Sequence, residues 1–158
     1  MTESRLPPLA VILGIAGLVP LIVCALAAAH IDPSGNTASM VALITYGAVV
    51  LSFLGGVHWG FVIEGEKEPS ERARLGLGVV PALLGWSAAL LAVSRHGVLG
   101  LLLLIAGFLA TVIVEGHARK WDLVPRAYLV LRWGLTVVVV AILTTVLVLR
   151  MVGADVEV

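Results

Sequence analysis

Apolar residues fall into five long blocks, and polar residues are confined to the breaks between them. The blocks cover residues 9–29, 38–63, 75–93, 98–114 and 128–149. A bilayer core of about 30 Å takes about 20 apolar residues as a helix, within a range of about 17–25. The second block is long enough to tilt or to project beyond the lipid. Each block is predicted helical, because five isolated strands cannot close a barrel and lipid does not tolerate an open strand edge. The pattern therefore predicts an all-α polytopic membrane protein, with residues 1–158 forming one bundle of five transmembrane helices.

The breaks carry turn and cap chemistry. Asp32-Pro33-Ser34-Gly35-Asn36 is a turn cluster. Ser94-Arg95-His96-Gly97 is so short that the third and fourth helices must be antiparallel neighbours. Pro69-Ser70 before Glu71-Arg72 reads as a helix start with Ser70 as N-cap, so the third helix begins a turn outside the lipid. Pro125 suits the first turn of the fifth helix, where its missing N–H costs nothing. Pro20 and Pro81 lie inside the first and third helices and are expected to kink them. The first block is expected to stay uncleaved. Only Arg5 precedes it as a basic residue, and its apolar run exceeds the roughly 7–15 residues of a signal peptide, although Ala27-Ala28-Ala29 imitates a cleavage site.

Composition agrees with a membrane setting. Of 158 residues 60% are hydrophobic and 13% charged, with a mean hydropathy of +1.11; soluble domains run at about 45–50% and about 25%. Lys+Arg and Asp+Glu both number 10, so no basic surface is available for a phosphate backbone and nucleic acid is excluded as a partner. Cys24 is the single cysteine, and no Cys/His spacing suggests a metal. No phosphate-binding glycine loop, GxSxG or HExxH is present. No catalytic, cofactor-binding or metal-binding residue is assigned, and the chain is not expected to be an enzyme. With five crossings, Arg5, Lys67, Arg72, Arg74, Arg119, Lys120 and Arg126 share one side, against Arg95 and Arg150 on the other. That asymmetry predicts a cytoplasmic N-terminus and an outside C-terminus.

Two groups of residues stand out. Ser52, Gly56 and Gly60 recur every four residues, flanked by Gly55, and predict a helix-packing face on the second helix. Gly56→Leu is accordingly expected to disrupt the fold more than Gly107→Leu. The second group is a polar layer at one depth: His58, Trp59, Glu64, Glu115 and Arg132. Such layers in lipid mark either a site or an internal tie. His58 alone cannot hold a metal or haem, and its bland role is a hydrogen bond to a neighbouring helix. Arg132 either snorkels to the headgroups or faces inward; the expectation is inward, tied to Glu115 or Glu64.

Tyr46-Gly-Ala-Val-Val-Leu-Ser-Phe-Leu-Gly-Gly-Val-His58-Trp59-Gly60 resembles the signature of the transmembrane protein 69-like family, a membrane family of unknown function. Leu13-Gly-Ile-Ala-Gly-Leu-Val-Pro20, Val80-Pro81-Ala-Leu-Leu-Gly-Trp86 and Leu131-Arg132-Trp-Gly-Leu-Thr136 fit the same pattern. One departure is Ala127-Tyr128, where the family pattern has Trp-Tyr. The resemblance implies a small bundle in a bacterial inner membrane, or in the mitochondrial inner membrane for animal relatives, and implies no activity.

Two functional readings follow. The first is a non-catalytic accessory or assembly partner, within a larger membrane complex or a homo-oligomer. The alternative is a protein that binds or moves a small lipophilic molecule in a pocket near the cytoplasmic leaflet. A cavity among the second, third and fifth helices would favour the alternative.

Overall fold

The computed structural model describes residues 8–29, 37–63, 71–118 and 126–156. Among them there is no strand, and the helices are α1 (Pro8–Ala16), α2 (Leu18–Ala29), α3 (Thr37–Ile63), α4 (Glu71–Val93), α5 (Gly97–Ala118) and α6 (Arg126–Val156). Helices α1 and α2 together make up the first apolar block. They part at Gly17, three residues before Pro20, whose missing N–H strips Ala16 of its helical hydrogen bond. The Gly17 amide still closes the last turn of α1 on Leu13 O at 2.9 Å, while its carbonyl accepts a hydrogen bond from the Tyr46 hydroxyl of α3 at 2.7 Å. Pro81 behaves differently, for α4 runs unbroken through it. The turn cluster at residues 32–36, Ser70 and Pro125 lie outside the described residues.

Four stretches are long and apolar enough to cross a membrane: Pro8–Ala29, Ala38–Val57, Gly97–Gly116 and Val130–Val152. The apolar part of α4 is shorter, Gly78–Val93, so among the described residues four stretches, against the five expected, meet the length and composition of a span. The cause lies in the first turns of α4, where Glu71, Arg72 and Arg74 occupy the helix.

Contacts between helices fix their directions. A Cβ on Gly85 would stand 2.9 Å from Ala48 O, and one on Gly55 would meet the Gly78 carbonyl, so α3 and α4 run antiparallel at backbone contact. Met40 lies against Gly97 and Leu51 against Gly107, so α5 runs parallel to α3. Arg132 near the start of α6 meets Glu115 near the end of α5, and the two helices stay packed against each other from there, which makes α6 antiparallel to α5. Leu135 abuts Gly14, and Arg150 Nε donates to Ala28 O at 3.0 Å, so α6 runs parallel to α1 and α2. The bundle thus alternates up and down, and the start of α1 and the end of α6 lie at opposite ends.

The turn joining α4 to α5 closes as a Schellman motif. Arg95 N–H donates to Ala92 O at 3.2 Å and His96 N–H to Leu91 O at 2.8 Å, with Arg95 in the left-handed region at φ 64°. The third and fourth apolar blocks are antiparallel neighbours, as the short link requires. Leu43, Ile44 and Leu51 of α3, Leu101, Leu104 and Phe108 of α5, and Leu143 and Val146 of α6 fill the centre.

The expected packing face is corrected by these contacts. Gly55 is buried against α4, but Gly56 is exposed and a Cβ there would meet nothing within 4 Å. Ser52 is half-buried and returns its hydroxyl to Ala48 O of its own helix at 2.7 Å. The surroundings of Gly60 lie outside the described residues. The tight row is Ala48 and Gly55, seven residues apart on the face α3 turns to α4, rather than Ser52 and Gly56.

Candidate functional site

Helix α5 buries Leu101, Leu104, Phe108, Thr111 and Glu115, and α6 buries Arg132, Thr136, Val139, Leu143 and Val146. Both sets step by three and four residues, the spacing of a helix–helix seam. Because the helices are antiparallel, the polar end of one seam meets the polar end of the other. The outcome is a four-residue polar cluster closing an apolar interior.

Arg132 organises that cluster. Its side chain is 4% exposed and that of Glu115 is 1% exposed. Nε donates to Glu115 Oε2 at 3.1 Å and Oε1 at 3.3 Å, Nη1 donates to Thr136 Oγ1 at 3.1 Å, and Nη2 donates to Thr111 Oγ1 at 3.2 Å. The Thr111 hydroxyl in turn donates to Phe108 O at 2.8 Å. Opposite charges removed from water persist only when paired and hydrogen-bonded, and this pair is both. Arg132 does not snorkel; it points inward, to Glu115.

The other members of the expected layer divide. The register that sets Leu51 beside Gly107 carries Trp59 to the level of Glu115 on the backbone. Its indole lies over Gly78 of α4 and the residue is 45% exposed. The side chain of His58 and the whole of Glu64 lie outside the described residues. Thr111 and Thr136 were not anticipated, yet a signal was available: each stands four residues from its charged neighbour on the same helical face.

A cavity of about 320 Å³ opens beside the cluster. It is walled by α1 and α2 (Gly14, Gly17, Leu21), α3 (Tyr46, Val50, Phe53), α5 (Phe108) and α6 (Arg132, Thr136, Val139). Helix α4 contributes nothing to its lining, so the third apolar block is not part of the cavity wall, contrary to the arrangement sought from sequence. The cavity arises where the first block is interrupted: α1 buries none of its residues, and Gly14 and Gly17 offer no side chains to fill the space. Its rim between α1 and α3 carries Leu13, 62% exposed, and Phe53, 70% exposed, so it faces the surface a bilayer would cover.

The wall is apolar except at Tyr46, Arg132 and Thr136. Tyr46 spends its proton on the Gly17 carbonyl. A guanidinium has five N–H groups, and the bonds above use Nε–H and one hydrogen on each Nη. One N–H on each Nη remains on the group that walls the cavity. Among the described residues no three His, Cys, Asp or Glu side chains gather as metal ligands would.

Comparison with known proteins gives a family whose function is unknown. The family model described as "Protein of unknown function (DUF3429)" matches residues 6–148. Over 88 residues the chain is 42% identical to "Transmembrane protein 69" of Xenopus tropicalis, a stretch covering 53% of this chain and 33% of that protein. The match thus spans about a third of that relative's length. No solved structure matches the chain.

Proposed function

Since the chain belongs to the DUF3429 family, whose description assigns no activity, we propose a function from the geometry: this integral membrane protein binds a small lipophilic molecule in the cavity beside Arg132. The cavity carries the reading. It is a hollow of about 320 Å³ that opens toward the surface a bilayer would cover, so a lipophilic molecule can reach it from the membrane. Its volume lies at the lower end of the roughly 300–1,000 Å³ typical of ligand pockets, which are mostly apolar with a few placed polar groups. No catalytic step is part of this proposal. The basic residues set the side: the N-terminus is cytoplasmic, the C-terminus is outside, and the Arg132 end of the cavity lies toward the cytoplasmic leaflet. The membrane is a bacterial inner membrane.

The test is purification in a gentle detergent followed by small-molecule and protein mass spectrometry of wild type and Val50→Trp, which fills the cavity from α3. A lipophilic compound retained by wild type and lost from the variant is the expected result. Identical small-molecule profiles overturn the proposal.

A second reading, an accessory or assembly partner, draws on Gly56. Its open, exposed position on α3 would let another helix approach closely. A protein partner lost on Gly56→Leu but kept on Val50→Trp would favour it.

A further inference from the structure

We infer that the cavity selects an uncharged amphiphile bearing a hydrogen-bond acceptor, such as a ketone, ester or quinone carbonyl, and discriminates against carboxylates; the inference rests on the proposal that the cavity binds a ligand. The argument is one of charge and donor count. The Arg132 cation is already matched by Glu115 at 3.1 Å, with both side chains nearly excluded from the surface. Among the described residues the two charges of the site cancel. An entering carboxylate would have to share one guanidinium with Glu115, leaving two anions and one cation in a medium of low dielectric, where unbalanced charge is strongly disfavoured. An entering cation would meet the guanidinium itself.

A neutral acceptor meets neither obstacle. Two guanidinium N–H groups remain after the bonds to Glu115, Thr136 and Thr111. Both are held in place, because those partners fix the plane of the group from three directions. The Tyr46 proton is committed to Gly17 O, which leaves the Arg132 N–H groups as the charged donors on the wall, beside the Thr136 hydroxyl. The remaining wall, from Leu21 through Val50 and Phe108 to Val139, suits an alkyl chain or an apolar ring. Entry follows the rim between α1 and α3, so the ligand comes from the lipid phase.

The experiment uses the whole chain in detergent micelles at pH 8, with the lipophilic fluorophore 1-aminoanthracene as reporter. 2-Undecanone, undecane and undecanoate compete for it at equal micelle concentration, and undecanoate is ionised at this pH. Specific displacement is the difference between wild type and Val50→Trp. The expected result is that 2-undecanone competes about tenfold more effectively than undecane, the scale of one hydrogen bond to a charged donor, with undecanoate weaker than both. In the double variant Arg132→Met/Glu115→Met, which removes the pair together rather than stranding one charge, undecane should still compete while the advantage of the ketone disappears. Equal competition by ketone and alkane, a preference for undecanoate, or a ketone advantage that survives the double variant overturns the inference and leaves ligand binding standing. Reporter binding identical in wild type and Val50→Trp overturns the binding proposal itself, and this inference with it.

Discussion

Arg132 on α6 and Glu115 on α5 form an ion pair, Nε to Oε2 3.1 Å, at the point where the buried seams of the two helices turn from apolar to polar. Replacing Arg132 by Leu leaves Glu115 buried without its cation, a loss of about 3–5 kcal/mol. Arg132→Lys should fall between, because lysine keeps the charge but cannot reach Glu115, Thr111 and Thr136 together. The double variant Arg132→Met/Glu115→Met should be more stable than either single one. Unfolding curves in lipid nanodiscs rank the four proteins; a leucine variant as stable as wild type would contradict the pairing.

Gly107→Leu should destabilise more than Gly56→Leu, the reverse of the order expected from sequence. A Cβ at Gly107 would already stand 2.8 Å from Leu51 Cδ2, whereas Gly56 has open space. Overpacking of a tight core costs about 1–3 kcal/mol. Thermal stability of the two variants in detergent decides the order.

Arg95 occupies a left-handed C′ position where glycine is usual. Arg95→Gly should hold or raise stability, since left-handed backbone costs L residues about 1–2 kcal/mol, and Arg95→Val should lower it, because a β-branched side chain fits φ > 0 worse than arginine does. Equal stability of the glycine and valine variants would show that the turn has rearranged.

Tyr46→Phe removes the hydrogen bond to the Gly17 carbonyl at the break between α1 and α2. The expected loss is about 1 kcal/mol, accompanied by faster amide exchange in α1 than in α5. Unchanged exchange in α1 would mean the break is held by packing alone.

A phosphatase reporter active only outside the cell, fused after Val158, should be active, and the same reporter placed within residues 64–70 should be silent. The opposite pattern would invert the orientation and move the Arg132 end of the cavity to the outer leaflet.

The spans were legible in the sequence because a stretch of about 20 apolar residues has few alternatives to a lipid-crossing helix. Their ends were less so: α4 and α6 continue into charged residues at Glu71 and Arg126, where hydropathy falls but the helix persists. Proline chemistry marked Pro20 and Pro81 alike, and could not tell that the helix would part near Pro20 and run on through Pro81. The packing face could not be read either, for small residues spaced by four look the same whether they face lipid or a helix, and only the partner's position distinguishes Gly55 from Gly56. The Arg132–Glu115 tie was legible because an intramembrane cation needs a partner. Thr111 and Thr136 escaped notice because threonine is common in membrane helices, though their spacing from the charged pair marked the face they share.

The parallel contact of α1 and α2 with α6, from Gly14–Leu135 to Arg150–Ala28, also dictates an order of assembly. Residues 8–29 leave the ribosome before residues 126–156, yet each supplies a wall of the same cavity. Until α6 is inserted, α1 has no Leu135 to rest on and the Ala28 carbonyl of α2 has no Arg150 to cap it. Glu115 likewise leaves the ribosome before Arg132 does. The cavity is therefore a late product of insertion: a bundle stopped short of α6 would lack Arg132, Thr136 and Val139 from its wall.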